Sequence, residues 1–135
     1  MKLMPLQHID EIINDSFGLW ISSLFSAIGG RNPDISFEHQ KEAFFWLIEY
    51  LLKNEKIKFL APGMDCYISP NNPHPEFTIN DLEAHWKASP QAIVSYLRER
   101  WPSTVSDAND IALTTYFYEI PGVIWVGDNG QLIAS

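Results

Sequence analysis

Residues 37–52 have the sequence FEHQKEAFFWLIEYLL, and this stretch carries the clearest helix signal in the chain. Its apolar residues fall on one side of a helix with 3.6 residues per turn. They are Phe37, Phe44, Phe45, Ile48, Leu51 and Leu52. Asp34 or Ser36 can cap the start of this helix, and Asn54 is a candidate stop. The stretch therefore predicts a long amphipathic helix at the centre of the fold.

The segment before this helix has a second helical pattern. Apolar residues recur there every three or four positions, with Gly18 as a candidate break into two helices and Gly29-Gly30 as the end. The stripe comprises Leu6, Ile9, Ile13, Phe17, Trp20, Leu24 and Ile28. We expect these side chains to face the core.

The middle of the chain predicts a short strand and one further helix. Residues 57–61 are expected to form the strand, and residues 66–68 are its candidate partner across a turn at Pro62-Gly63. Residues 69–75 contain three prolines and are expected to form a surface loop. A helix is then expected to begin at Thr78 or Asn80 and to end near Lys87.

Two more helices are expected in the last third of the chain. Ser89 is the N-cap of the first, Pro90 takes its favoured first position, and the helix ends at Arg100. Asp107 or Asn109 opens the second. Its inward residues are expected to be Ile111, Leu113 and Phe117.

The last residues are typical of a β-hairpin. Asp128-Asn129-Gly130 can supply the positive φ angles of a tight turn between two apolar runs. Both faces of the first run are apolar, so we expect a central strand covered on both sides; the alternative is that Trp125 contacts a ligand. The predicted fold class is α+β, a mainly helical single domain over residues 1–135 with a small antiparallel sheet that includes this hairpin.

Composition and charge restrict the classes of partner. The chain has 135 residues, which suits one domain, and a net charge of −8, which argues against nucleic acid and anionic membranes. Residues 1–52 hold seven acids and three bases, and residues 102–135 hold four acids and no Lys or Arg. Five Trp, five Tyr and eight Phe exceed the needs of a core of this size, so some rings are expected at the surface as interface anchors.

Catalytic and metal-binding patterns are not found in the sequence. Cys66 is the single cysteine and is expected to be structural, and His8, His39, His74 and His85 are scattered without ligand spacing. Gly29-Gly30 follows a helix instead of preceding one, so it does not predict a phosphate-binding loop. We therefore predict no catalytic residue, no metal and no cofactor. The N-terminal residues lack the apolar run of a signal peptide, and a cytoplasmic location is expected.

One surface of the central helix has the composition of a protein-binding site. Glu38, Glu42 and Glu49 project within about 40° of each other, outside the apolar arc, and Trp46 and Tyr50 lie beside them. Acids next to aromatic rings are typical of a hot spot for a basic protein partner. The alternative is a solvated strip with Trp46 packed under a neighbouring loop.

The C-terminal third provides a second candidate surface. Asp107, Asp110 and Glu119 have no base near them in the sequence, and Tyr116 and Tyr118 lie on the same predicted helix. These acids are predicted to pair with Lys or Arg of the partner, as a secondary set of binding residues.

Two stretches carry a resemblance to a known family. They are EAFFWLIEYLLKNEKIKF (residues 42–59) and IPGVIWVGDNGQLIAS (residues 120–135). The chain resembles small uncharacterised bacterial proteins encoded beside polymorphic and contact-dependent growth-inhibition toxins. The resemblance implies a cytoplasmic immunity protein, which binds the toxic domain of a cognate effector. Many such toxins are nucleases with basic faces, to which an acidic inhibitor would be electrostatically attracted.

The leading hypothesis is therefore a monomeric immunity protein that neutralises a basic toxin domain by one-to-one binding. Two alternatives belong to other classes. A small adaptor or regulatory module would bind a different protein or form a homo-oligomer through its exposed rings. An enzyme or small-ligand binder would have a deep pocket lined by groups such as His8, His85 or Asp81.

Overall fold

The computed structural model describes residues 6–64, 66 and 69–134. Within these ranges helices form most of the regular structure, and a three-stranded sheet completes it. The elements in chain order are α1 (Ile9–Ser16), α2 (Ile21–Arg31), α3 (Phe37–Lys53), β1 (Ile57–Phe59), a short 3-10 helix (Leu82–Ala84), α4 (Pro90–Glu99), α5 (Ile111–Glu119), β2 (Val123–Val126) and β3 (Leu132–Ile133). The fold is α+β and mainly helical, as predicted from the sequence.

Three helices begin at the caps that their sequences supply. The Ser36 hydroxyl accepts a hydrogen bond from the His39 amide at the start of α3. The Ser89 hydroxyl accepts one from the Ala92 amide at the start of α4. Helix α5 begins one residue after Asp110, whose carboxylate accepts from the Ala112 amide. Asp110, and not the predicted Asp107 or Asn109, is therefore its N-cap.

The predicted N-terminal stripe is interrupted between two helices. Helix α1 ends at Ser16 and α2 begins at Ile21, so residues 17–20 are not helical and the three- and four-residue spacing does not apply to them. Phe17 and Trp20 are exposed as a result, contrary to the expectation that they face the core. Gly29-Gly30 lies inside α2, which ends at Arg31.

Helices α1 and α2 pack against each other and are joined at their ends by an ion pair. Arg31 donates to both carboxylate oxygens of Asp15, at 2.8 and 3.1 Å. These hydrogen bonds hold the pKa of Asp15 below its usual range. The pair adds a contact between the last turn of α1 and the last residue of α2, while Asn32 after α2 hydrogen-bonds Gln7 before α1.

The sheet has the order β1-β2-β3 and is antiparallel throughout. Ile57 pairs with Trp125, and Trp125 pairs in turn with Ile133. The terminal hairpin is therefore confirmed, with Gly130 at a φ of 84° in its turn. The predicted partner strand at 66–68 lies partly outside the described residues, and β1 pairs with β2 instead.

Strand β2 is the central strand and is covered on both faces. Trp125 is 1% exposed and its indole N–H donates to the Leu19 carbonyl at 2.9 Å. Ile124, on the other face, is fully buried in a smaller cluster with Leu60 and Ala84. The covered-strand interpretation of the sequence is thus confirmed.

The helix predicted between Thr78 and Lys87 does not form. A single 3-10 turn at Leu82–Ala84 replaces it, and the next residues are extended along the free edge of β1. The Trp86 amide donates to the Phe59 carbonyl, and the Ala61 amide donates to the Ala84 carbonyl, each at 2.8 Å. Because this pairing needs extended backbone, it excludes a continuous helix there and also protects the sheet edge.

Aromatic rings form the centre of the main core. Trp101 contacts Phe25, Phe44, Phe45 and Tyr116 with ring centroids 5.2–6.2 Å apart. The Tyr116 hydroxyl donates to the Leu97 carbonyl at 2.6 Å and so joins α5 to α4. Ile111 does not enter this core and is 80% exposed, because it is the first residue of α5 and faces away from the buried Leu113 and Tyr116.

Candidate functional site

The five residues predicted as the main partner-binding surface all lie on α3, and we call them the α3 surface: Glu38, Glu42, Trp46, Glu49 and Tyr50. Because Phe37–Lys53 is one continuous helix, the rotation of 100° per residue places them on one outward arc. The opposite side of the helix, which includes Phe44, Leu47 and Leu51, is buried. The structure therefore brings these five residues together.

The carboxylates of the α3 surface are each paired with a base of this chain. The N–O distances are 2.6 Å for Glu42–Arg98, 3.5 Å for Glu49–Lys53 and 3.9 Å for Glu38–Lys41. Such exposed pairs add little to stability. They do balance three negative charges with three positive ones, so the α3 surface is less acidic than its sequence suggested.

The aromatic part of the α3 surface is a stacked pair. The rings of Trp46 and Tyr50 have centroids 5.4 Å apart and an interplanar angle of 20°. Trp46 is 49% exposed and Tyr50 is 40% exposed, so neither ring is covered by a loop. A partly exposed ring pair of this kind offers a flat apolar surface to a partner. Because the rings are already stacked, their side chains lose little conformational entropy on binding.

The predicted acids of the C-terminal third have local structural roles. Asp107 accepts from the Asn109 amide at 2.8 Å, and Asp110 caps α5. Glu119 is the last residue of α5 and lines a cavity of about 350 Å³ together with Arg100. Among the described residues these three acids form no ion pair, and no hydrogen bond or ring contact joins them to the α3 surface.

A second concave surface lies between α2 and α5, beside the start of α3, and we call it the α2–α5 groove. Its volume is about 600 Å³, and none of its lining residues is charged. Phe25 and Leu113 are its buried apolar members, while Ser26, Asn109 and Thr114 are exposed polar members. The groove thus combines an apolar base with neutral hydrogen-bonding groups.

Small residues of α2 leave the space for this groove. Ser22, Ser26 and Gly29 follow one another at four and three residues along the same helix face, and all three line the groove. Gln40 is buried behind Gly29 and donates its amide to the Phe25 carbonyl at 2.9 Å. A Cβ at Gly29 would lie 2.8 Å from the Gln40 amide nitrogen, so a side chain at this position would require Gln40 to shift.

Two exposed aromatic rings line the groove. The rings of Trp20 and Tyr118 are in contact, with centroids 5.7 Å apart, and they are 48% and 75% exposed. Ile111 lies seven residues before Tyr118 and so on the same side of α5. Phe17 and Leu19, just before Trp20, are also exposed.

The α2–α5 groove was not predicted from the sequence. The sequence places Trp20 in the N-terminal helical stripe and Tyr118 beside the acids of the second candidate surface, and it does not bring the two residues together. One sequence signal could have indicated the groove: the small residues at 22, 26 and 29 lie on one face of an apolar helix.

The residues considered for a small-ligand pocket have local hydrogen bonds or lie at a helix start. His85 is buried with its Nε2 2.6 Å from the Ile79 carbonyl, and Asp81 accepts from the Thr78 amide at 2.6 Å. His8 lies at the start of α1. None of the three lines either of the cavities described above.

Metal sites and membrane spans were also sought in the described residues. No group of three or more His, Cys, Asp or Glu side chains there could hold a metal ion. None of the helices in those ranges is long and apolar enough to cross a bilayer.

Comparison with known proteins shows a shared fold. The chain is similar to the solved structure of an uncharacterised protein conserved in bacteria, from Neisseria meningitidis. The TM-score is 0.63 and the sequence identity 20%, over 92% of this chain and 84% of the other. At this identity the similarity concerns the fold and not the activity. No protein-family model and no curated protein matches the chain.

Proposed function

We propose that this protein acts by binding another protein in a one-to-one complex. The observation that carries the proposal is the exposure of aromatic rings: Phe17, Trp20, Trp46, Tyr50 and Tyr118 are each at least 40% exposed. Aromatic side chains are enriched among the residues that dominate binding energy at protein interfaces. Their grouping on the α3 surface and beside the α2–α5 groove supports contact with a partner.

The charge of the chain supports a basic partner. The net charge is −8, and residues 102–135 contain four acids and no Lys or Arg. Opposite charges accelerate association and disfavour partners of like charge, which include nucleic acids. We propose that the partner is a protein with a positively charged face.

Toxin neutralisation is the specific form of this proposal. It rests on the resemblance of residues 42–59 and 120–135 to proteins encoded beside toxins and on the acidic charge. The partner would be the toxic domain of a cognate effector, and a nuclease domain has the basic face that an acidic inhibitor needs. The inhibitor would act in the cytoplasm by covering that face, without catalysis of its own.

Co-expression tests the proposed function. The proposal predicts a toxic domain encoded beside this gene, and that domain is induced in cells with and without the present protein while growth is followed. The proposal predicts that growth stops in its absence and is restored in its presence. The variant Trp46→Ala/Tyr50→Ala tests the α3 surface, and Leu82→Ala, an exposed residue outside both candidate surfaces, is its control. Growth arrest that the wild-type protein does not relieve would refute toxin neutralisation.

A further inference from the structure

We propose that the α2–α5 groove is a docking site for a peptide segment of the partner that inserts one apolar side chain and carries Lys or Arg on either side of it. The inference rests on the proposed function in one respect, since it takes the partner to be a protein. It goes beyond that proposal by assigning the contact to the groove and by giving the chemistry of the segment that binds there.

The lining of the groove determines what can enter it. Because no lining residue is charged, a charged group placed inside would lose its hydration without gaining a counter-charge. Phe25, Leu113 and Phe117 offer an apolar base instead, and an inserted apolar side chain would remove this surface from water. The inserted group is therefore apolar.

The exposed polar residues of the groove suit a peptide backbone. Ser26, Asn109 and Thr114 are uncharged, and their side chains can donate and accept hydrogen bonds. A peptide that brings an apolar side chain into the groove also brings backbone amides and carbonyls, which need such partners when water is displaced. A fatty acyl chain would leave these groups without bonding partners.

The surroundings of the groove are acidic. Asp34 lies between the lining residues Pro33 and Ile35, and Asp107 and Asp110 flank the lining residues at 108 and 109. None of these three acids forms an ion pair among the described residues. The residues flanking the inserted side chain would therefore be Lys or Arg, by charge complementarity.

The bases next to the groove do not cancel this charge. Arg31 is held by Asp15 at 2.8 Å, and Lys41 lies 3.9 Å from Glu38 and over the Trp101 ring. The N-terminus of α5 carries partial positive charge, but the C-terminus of α2, close to Gly29, carries partial negative charge. The groove differs in this respect from the α3 surface, where each acid has a base.

A random-peptide phage library, selected on the immobilised full-length protein, tests the inference directly. A peptide synthesised from the enriched sequences is then titrated against wild-type and variant proteins. Ser26→Tyr fills the groove and Tyr118→Ala removes its most exposed ring; both positions are exposed, so the fold should persist, as thermal unfolding would check. Leu82→Ala, an exposed residue outside both candidate surfaces, is the matched control.

The inference predicts peptides with an apolar residue between Lys or Arg residues. Ser26→Tyr and Tyr118→Ala should each weaken binding by about tenfold or more, and the control should leave binding unchanged. Asp34→Asn/Asp107→Asn should reduce the salt dependence of binding, because two negative charges are removed. Asn at 107 still accepts from the Asn109 amide, so the local structure is kept.

Several results would overturn the inference. They are a selection without enriched peptides, peptides without basic residues, and peptides whose affinity is the same for the groove variants as for the wild type. A homodimer seen by sedimentation and abolished by Ser26→Tyr would also do so, because a second copy would then occupy the groove. None of these results depends on toxin neutralisation, which the growth experiment tests separately.

Discussion

Paired and unpaired carboxylates distinguish the two candidate surfaces at the scale of single residues. Glu42 accepts from Arg98 at 2.6 Å across 56 residues of sequence, a contact that no local pattern reveals. The exposure of Trp46 and Tyr50 was predictable, because helical geometry alone places them outside the apolar arc. The pairing of Glu42 with a base was not predictable, because it depends on how α4 packs against α3.

Tyr116 provides a test of the contact between α4 and α5. Its hydroxyl donates to the Leu97 carbonyl, which belongs to the last turn of α4 and would otherwise be unsatisfied. Tyr116→Phe should lower the free energy of unfolding by about 1–3 kcal/mol at neutral pH. Chemical denaturation measures this change. Tyr118→Phe, on a ring that is 75% exposed, is the control and should stay within about 0.5 kcal/mol of the wild type.

The same residue predicts a dependence on alkaline pH. Burial raises the pKa of Tyr116 well above its usual value, and the nearby Arg98 and Arg100 oppose this shift without cancelling it. Because the pKa is higher in the folded state, this contribution to stability is complete below about pH 10, the pKa of an unfolded tyrosine, and is lost as the pH rises further. The stability difference between wild type and Tyr116→Phe should therefore shrink above about pH 10. A constant difference across that range would contradict the assignment.

At the scale of elements, the parts that follow local rules were predicted and the parts that depend on distant pairing were not. Helices α3 and α4 begin directly after Ser36 and Ser89 because their N-caps and apolar spacing are local features of the sequence. The segment from Thr78 to Lys87 was assigned wrongly, because its backbone pairs with β1 more than twenty residues earlier. The α2–α5 groove was missed for a similar reason, since it exists only where two helices distant in sequence meet.

Two neighbouring glycines of α2 should respond in opposite directions to the same substitution. Gly30→Ala should stabilise the protein by about 0.5–1 kcal/mol, because alanine favours the helix and nothing lies within 4 Å of the added Cβ. Gly29→Ala should destabilise it by about 1 kcal/mol, since the Cβ would displace Gln40 from the Phe25 carbonyl. Thermal or chemical unfolding of the two variants measures these changes in stability. Equal effects at both positions would show that Gln40 is not held as described.

At the scale of the whole molecule, net charge and exposed rings have separate parts in the proposed complex. A charge of −8 attracts a basic partner over a distance of about the Debye length, and the rings then provide the short-range contact. The sequence was sufficient to predict the fold class and the presence of surface rings. It could not show that the acids of α3 are balanced while those around the α2–α5 groove are not.

The association rate with the proposed basic partner protein, measured by stopped-flow tryptophan fluorescence over a range of salt concentrations, tests the central claim of binding to a basic protein. We expect a one-to-one complex whose association rate approaches about 10⁸ M⁻¹s⁻¹ at low salt and falls steeply as salt is added, while dissociation changes little. An association rate that does not depend on salt, or the absence of a complex, would contradict the account.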